Sequence, residues 1–195
     1  MRIIQISDTH LSPGKQQFAG NWPPLAAWIA EQRPDLVIHT GDVTVDGAAV
    51  DEDLWHAAAL MRSLGVRFRG VPGNHDVGDP GHPRQSVTAE RLARWRAHFG
   101  PDRWVEDVAG VRLIGLNAML FGTGDAQEAV QAAWLDAVMD GADGRQIAWF
   151  LHRPLFINTP DEPDTGYWSK AAASGPADRA GAAALGRLDR QRSSA

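Results

Sequence analysis

The chain has 195 residues, 44% of them hydrophobic and 22% charged, which fits one globular domain and excludes an intrinsically disordered chain. Its formal net charge of −5 and its lack of a Lys/Arg block do not favour nucleic acid as a partner. Because cysteine is absent, disulfides and thiolate metal sites are excluded, and any metal must use nitrogen and oxygen ligands.

The chain begins with the strand-like segment Met1-Arg2-Ile3-Ile4-Gln5-Ile6, which lacks the long apolar stretch and cleavage site of a secretory signal. No uninterrupted apolar run approaches the roughly 18 residues that a membrane-spanning helix needs. We therefore expect a cytoplasmic protein with no membrane partner.

The first third of the chain alternates short apolar runs with helical patterns. Strands are predicted at residues 2–7, 35–40 and 66–71, with helices at residues 24–32 and 51–64 between them. Strands that alternate with helices in this way are the signature of βαβ units, and they predict a parallel sheet.

Beyond residue 80 the predicted elements are less regular. They are a helix at 86–99, two hairpin strands at 103–108 and 111–117, a helix at 125–139 and a strand at 146–151. The last stretch differs, because Ala, Gly, Arg and Ser dominate it. We therefore predict a domain over residues 1–170, incomplete at its C-terminal end, and a tail over residues 171–195 that is a short helix or partly disordered.

Metal-capable side chains follow four of the predicted strands: Asp8, His10, Asp42, Asn74, His75, Asp76 and His152. Ligands of parallel sheets bind beyond the carboxyl ends of the strands, so these side chains are expected to converge. On a continuing strand, Asp8 and His10 would project to the same side and could bind one ion as a pair. Carboxylate, imidazole and amide ligands without thiolate suit Mn²⁺, Fe or Zn²⁺. Two such ions could assist in-line displacement at a phosphoryl group.

Each motif has a plainer interpretation when it is taken alone. Gly41-Asp42 fits a turn in which Asp caps backbone amides, and His152 fits a hydrogen-bonded core or loop histidine. A tight turn explains Gly73-Asn74-His75-Asp76 less well, because a turn does not require histidine. The four motifs in this order, each at a strand end, favour a metal site over coincidence. His39 precedes the Gly41-Asp42 turn and is given no role.

The motifs that carry a family resemblance are Asp8-Thr9-His10, Gly41-Asp42, Gly73-Asn74-His75-Asp76 and Leu151-His152-Arg153-Pro154. They resemble the calcineurin-like metallophosphoesterase superfamily, and within it the cyclic-nucleotide phosphodiesterase and small-phosphoesterase branch. The resemblance implies an α/β fold of the α+β kind, with a shortened C-terminal part. That fold is a four-layer αββα sandwich, in which two mixed β-sheets are flanked by helices.

The resemblance also implies a ligand set for two divalent metal ions. Asp8, His10 and Asp42 would bind the first ion, and Asp42 would bridge to the second. The second ion would also bind Asn74 and His152. The metals implied are Mn, Fe or Zn.

His75 is the implied catalytic residue, which would stabilise phosphoryl oxygens or protonate the leaving group. A metal-bridging hydroxide would be the nucleophile. The implied function is metal-dependent hydrolysis of a phosphomonoester or phosphodiester, with a small phosphoester, such as a cyclic nucleotide, as the substrate.

The chain departs from the family pattern after His152. Family members have a later Gly-His-x-His motif, whereas this chain has no histidine beyond His152. Three explanations of this missing motif are open. The chain could be truncated or frame-shifted near residue 170, another subunit or the acids at 161, 162 and 164 could supply the ligands, or the site could use fewer protein ligands and more water. The alternative function is a truncated, weakly active or inactive relative that binds metal or phosphate without efficient turnover. A sheet edge exposed by shortening would also favour a homodimer.

Overall fold

A computed structural model of the chain describes residues 1–80, 82–155 and 158–159. Its elements in chain order are β1 (Ile3–Ile6), α1 (Trp22–Gln32), β2 (Leu36–His39), α2 (Asp51–Ser63), β3 (Phe68–Gly70), α3 (Asn74–Val77), α4 (Ala89–Phe99), β4 (Trp104–Val108), β5 (Val111–Gly115), α5 (Ala126–Asp140) and β6 (Gln146–Phe150). The predicted tail and the acids at 161, 162 and 164 lie outside the described residues, so the domain division stays a prediction. Across the described ranges, no helix is both long and apolar enough to cross a membrane.

The first sheet contains β1, β2 and β3 in that order, and its strands are parallel. Helices α1 and α2 connect successive strands, and such a crossover returns the chain in the same direction. All four residues of β2 are buried, because this strand lies between two neighbours in a covered sheet. The predicted βαβ organisation of the first third is therefore confirmed.

The second sheet contains β4, β5 and β6 and is mixed. β4 pairs antiparallel with β5 through the turn at Ala109 and Gly110, whose φ angles of 47° and 86° suit a tight hairpin. β5 pairs parallel with β6. We expected two mixed sheets, and the first sheet differs: its described strands are joined by crossover helices, which leave no antiparallel pair.

The two sheets pack face to face over one apolar core. Leu36, Ile38 and Val71 from the first sheet and its edge pack with Trp104 and Leu113 of the second. The Trp104 indole N–H also donates to the Gly70 carbonyl oxygen across 3.0 Å. This packing forms the centre of the expected sandwich. Both sheets belong to one compact unit, which therefore contains the carboxyl ends of the parallel strands of both.

Helix α5 belongs to a second compact unit, which includes residues 120–142. Its first turn is built around acidic side chains. Asp125 caps the helix by accepting from the Gln127 N–H at 2.7 Å, and buried Glu128 accepts from the Gly122 and Gly124 N–H groups at 2.6 and 2.9 Å. Carboxylates at a helix N-terminus satisfy free amides and interact favourably with the helix dipole.

Candidate metal centre

The structure brings all six proposed site residues together beyond the strand ends. Asp8 and His10 follow β1, Asp42 follows β2, Asn74 and His75 open α3 after β3, and His152 follows β6. The convergence predicted from the sequence is therefore present. The role of each residue as a ligand or catalyst stays a prediction.

Three of the proposed ligands have left-handed backbone conformations. The φ angles of Asp8, His10 and Asp42 are 56°, 45° and 53°. Non-glycine residues adopt this region at a cost of about 1–3 kcal/mol each, and they cluster at functional sites. Asp8 and His10 do lie together, with His10 Nε2 3.9 Å from Asp8 Oδ1, but strand alternation is not the reason, because β1 ends at Ile6 and the left-handed backbone of both residues aims the side chains.

Two glycines permit a close approach of the loops that follow β2 and β3. A Cβ at Gly73 would lie 2.2 Å from Asp42 Oδ1 and 2.4 Å from the Asp42 nitrogen. A Cβ at Gly41, whose φ is +101°, would lie 2.7 Å from the His152 Cβ. Any larger residue would push the loops apart, so both glycines are required by close approach.

The Asp42 carboxylate lies at the centre of the site and is buried. Its Oδ1 is 3.5 Å from His152 Nε2, and its Oδ2 is 3.9 Å from His10 Nε2 and 4.0 Å from His75 Nε2. The His75 backbone N–H donates to Oδ1 at 2.9 Å and holds the carboxylate in this orientation. Each oxygen thus faces a different imidazole, which is the arrangement that a bridging carboxylate requires.

Two of the histidines have their ring orientation fixed by backbone carbonyls. His152 Nδ1 is 3.0 Å from the Thr40 carbonyl oxygen, and His75 Nδ1 is 2.6 Å from that of Val45. A carbonyl can only accept, so Nδ1 carries the proton and, in the neutral ring, Nε2 has the free lone pair. Hydrogen bonding of one ring nitrogen commonly orients the other toward a metal.

The lone pair of His152 points at further acceptors rather than at donors. Its Nε2 lies 3.3 Å from Asn74 Oδ1 and 3.5 Å from Asp42 Oδ1. These three electron-rich atoms converge within bonding distance of one small volume, and a cation bound among them would offset their mutual repulsion. The donor set of these residues therefore fits a divalent cation.

The described residues provide two groups of donor atoms, each with all its atoms within 4.8 Å of one another. One group is His10, Asp42 and His75, and the other is Asp8, Asp42 and His152. Both contain Asp42, as a two-ion site bridged by this carboxylate would. The predicted pairing of Asp8 with His10 is also close, at 3.9 Å, so the division of ligands between the two ions stays a prediction.

Asp76 belongs to neither donor group, although its motif is metal-capable, because it is fully buried and its carboxylate accepts hydrogen bonds from the surrounding loops. Its Oδ1 accepts from the Thr44 backbone N–H and hydroxyl at 2.9 and 2.7 Å, and its Oδ2 accepts from the Gly73 and Val43 N–H groups at 2.9 and 3.2 Å. Burial and the nearby Asp42 carboxylate raise the pKa of Asp76, while the donors from Thr44 and Gly73 oppose that shift. Asp76 thereby joins the loop of Asp42 to the turn that begins α3.

His39, to which the residue pattern assigned no role, is fully buried beside the ligand loops. Its Nδ1 accepts from the Gly41 N–H at 3.1 Å, and its Nε2 lies 3.0 Å from the Thr9 hydroxyl. Burial, with smaller effects from His152 and His10, lowers the pKa of His39 to about 3. Spacing alone could not have separated this histidine from the ligands.

Comparison with known proteins places the sequence in a family of phosphoesterases. The sequence profile of the family described as calcineurin-like phosphoesterase matches residues 1–158. A probable glycerophosphodiester phosphodiesterase, GpdQ of Arcobacter nitrofigilis, is 27% identical over 176 residues, covering 79% of this chain and 57% of that protein. The 3',5'-cyclic adenosine monophosphate phosphodiesterase CpdA of Escherichia coli K12 is 25% identical, covering 78% of this chain and 54% of that protein. The chain therefore spans about half the length of these curated relatives.

Solved structures show the same fold. A crystal structure of a dimetal phosphatase from Danio rerio has a TM-score of 0.62 and 15% identity, covering 95% of this chain and 77% of that one. Purple acid phosphatase PPD1 from yellow lupin has a TM-score of 0.55 and 16% identity, covering 80% of this chain and 31% of that one. From the family profile and this fold, the chain belongs to the calcineurin-like phosphoesterase family.

Proposed function

We propose that this chain hydrolyses a small phosphomonoester or phosphodiester with two divalent cations bound by Asp8, His10, Asp42, Asn74 and His152. The observation that carries the proposal is the Asp42 carboxylate, whose two oxygens face the Nε2 atoms of different histidines. The named activities of GpdQ and CpdA, both phosphodiesterases, support a phosphodiester as the substrate class. The named activity of CpdA makes a cyclic nucleotide one candidate substrate.

The donor set favours Mn²⁺, Fe or Zn²⁺ as the cations, because it combines carboxylate, imidazole and amide groups without thiolate. When bound, two such ions neutralise phosphoryl charge and supply a nucleophile from water at neutral pH. The dimetal phosphatase from Danio rerio shares the fold and supports a two-ion site.

The protein holds the proposed ligands in fixed orientations. Asp42 is held by the His75 backbone N–H, and the ring of His152 is held by the Thr40 carbonyl. Donor atoms that are already in position do not have to reorganise during the reaction, and such preorganisation lowers the barrier. The left-handed conformations of Asp8 and His10 serve the same end.

His75 is the proposed general acid. Its side chain is 42% exposed, which makes it accessible to a substrate, and the Val45 carbonyl fixes its Nδ1 so that Nε2 faces the site. In the imidazolium form, Nε2–H could donate its proton to the leaving-group oxygen. The His75 carbonyl also accepts from the Ala48 N–H at 2.8 Å, so the backbone is held as well as the ring.

The test uses the purified 195-residue chain with Mn²⁺. Bound metal would be measured by elemental analysis, and hydrolysis would be followed with an aryl phosphodiester and an aryl phosphomonoester. Asp42→Asn would remove the bridging charge. The matched control is Asp102→Asn, which alters another buried carboxylate, one that pairs with Arg96 and Asn117 outside the ligand loops.

We expect the parent chain and Asp102→Asn to bind Mn²⁺ and hydrolyse substrate, and we expect Asp42→Asn to lose both properties while remaining folded. A parent chain that binds Mn²⁺ without hydrolysis would favour the non-catalytic alternative. A parent chain that neither binds metal nor hydrolyses either ester would contradict the proposal.

A further inference from the structure

A buried histidine that is not a proposed ligand joins two of the ligand-bearing loops. The His39 ring lies between the Gly41 N–H, 3.1 Å from Nδ1, and the Thr9 hydroxyl, 3.0 Å from Nε2. The Thr9 hydroxyl in turn lies 3.1 Å from the Val43 carbonyl oxygen. These contacts connect Gly41, which precedes Asp42, through His39 and Thr9 to Val43, which follows it.

The direction of each hydrogen bond is fixed by groups that can only donate or only accept. The Gly41 peptide N–H must donate, so His39 Nδ1 carries no proton, and the proton of a neutral ring is on Nε2. The Val43 carbonyl must accept, so the Thr9 hydroxyl donates its one proton there and accepts from His39 Nε2–H. All three hydrogen bonds are therefore satisfied together in one tautomer of the neutral imidazole.

The loops that this chain of hydrogen bonds connects hold strained residues. Asp8, His10 and Asp42 are left-handed, and such conformations persist only where surrounding contacts hold them. Thr9 lies between two of the three. We propose that neutral His39, through Thr9, is a positioning residue that sets the placement of Asp8 and His10 relative to Asp42 and so raises the affinity of the site for divalent cations. This inference rests on the proposed function.

Burial of the ring supports the neutral form. Full burial, together with the neighbouring His152 and His10, lowers the pKa of His39 to about 3. A neutral ring adds no positive charge beside a cation site. It also keeps Nδ1 free to accept from Gly41, which a protonated ring could not do.

The first test concerns the tautomer and requires neither metal nor substrate. Nitrogen-15 NMR of the metal-free chain at neutral pH would report the protonation of each ring nitrogen of His39. We expect a protonated Nε2 and an unprotonated Nδ1. The opposite tautomer, or a ring protonated at both nitrogens, would overturn the inference.

The second test measures Mn²⁺ affinity by calorimetry. His39→Asn keeps an acceptor near Nδ1 but loses the donor to Thr9, and Thr9→Val removes the hydroxyl while keeping the side-chain shape. We expect each to weaken Mn²⁺ binding by about 10- to 100-fold, the usual effect of losing a group that orients metal ligands. Thr9→Ser keeps the hydroxyl and should restore affinity close to that of the parent.

A matched control is Thr123→Val, because the Thr123 hydroxyl also donates to a backbone carbonyl, that of Leu120 at 2.8 Å, outside the ligand loops. It should leave Mn²⁺ affinity unchanged. If His39→Asn does not fold, Thr9→Val decides the matter, with circular dichroism as the check on folding.

The outcomes separate this inference from the proposed function. A parent chain that binds Mn²⁺ but hydrolyses nothing refutes the function, yet weakened binding in Thr9→Val would still support the inference. Folded His39→Asn and Thr9→Val proteins that bind Mn²⁺ as tightly as the parent would overturn the inference, whatever the activity. A parent chain that binds no Mn²⁺ would overturn both.

Discussion

Gly73→Ala should disable the metal centre through a steric conflict of one methyl group. The new Cβ would lie 2.2 Å from Asp42 Oδ1 and 2.4 Å from the Asp42 nitrogen, whereas ordinary contact begins at 3.4 Å. The gap to be opened is therefore about 1 Å. The φ of Gly73 is −101°, which alanine adopts without strain, so the effect is purely one of space. The carboxylate cannot simply turn aside, because Oδ1 accepts from the His75 N–H at 2.9 Å.

Two magnitudes follow from that displacement. Forcing extra volume into a packed site costs about 1–3 kcal/mol of stability. A misplacement of about 1 Å in a catalytic group costs about 100-fold in rate, so hydrolysis should fall by at least that factor. Mn²⁺ affinity should fall as well, because Asp42 is shared by both donor groups.

The assay compares Gly73→Ala with Gly20→Ala in thermal unfolding, Mn²⁺ titration and aryl phosphodiester hydrolysis. A Cβ at Gly20 meets nothing within 4 Å, so that variant controls for the loss of a glycine alone. Gly20→Ala should match the parent in all three measurements. A Gly73→Ala protein with the parent's Mn²⁺ affinity and rate would refute the steric reasoning.

Three further predictions concern the groups around Asp42. Asp76→Asn should lower stability by about 1–3 kcal/mol and weaken Mn²⁺ binding. Each carboxylate oxygen of Asp76 now accepts two hydrogen bonds, whereas the amide NH₂ group of asparagine would face two of those donors without an acceptor. Urea unfolding like that of the parent would contradict this. His75→Asn should slow hydrolysis of an alkyl phosphoester by about 10²- to 10⁴-fold and that of a nitrophenyl ester much less, since nitrophenolate leaves without a proton; equal losses would exclude a general-acid role. The pKa of His39 is about 3 in the folded chain and 6.5 as its ordinary value, so protonation favours the unfolded chain. As the pH drops from 6.5 to about 3, the free energy of unfolding of the metal-free chain should fall by about 1.4 kcal/mol per pH unit. Urea unfolding across that range should give a shallower slope for His39→Asn, and identical slopes would contradict the assignment.

The sequence could predict those parts of the fold that depend on local pattern. Apolar runs bounded by Pro34 and Pro72 placed β2 and β3 to within two residues at each end, and the hairpin signal at Ala109-Gly110 placed β4 and β5. The start of α4 was predicted three residues early, because Thr88 caps the helix by accepting from the Arg91 N–H. No helix was predicted directly after β3, where the structure has the short helix α3, because propensity over four residues could not indicate it.

The sequence also predicted which polar side chains converge, since strand ends in a parallel sheet share one edge. It could not predict how they are aimed. The left-handed φ angles of Asp8, His10 and Asp42 occur where loops far apart in the sequence contact each other, and three of the four donors to Asp76, those of Val43 and Thr44, come from such a distant loop. A residue pattern carries no signal for such contacts, which is why His39 was given no role.

The proposed function requires that Asp42 bridge two divalent cations. Crystals of the chain grown with Mn²⁺, with diffraction data collected at the manganese absorption edge, would locate the bound ions. We expect two anomalous peaks, one on the side of Asp42 Oδ1 near His152 and one on the side of Oδ2 near His10. The absence of any peak, or a single ion that does not contact Asp42, would rule out a bridging role for this carboxylate.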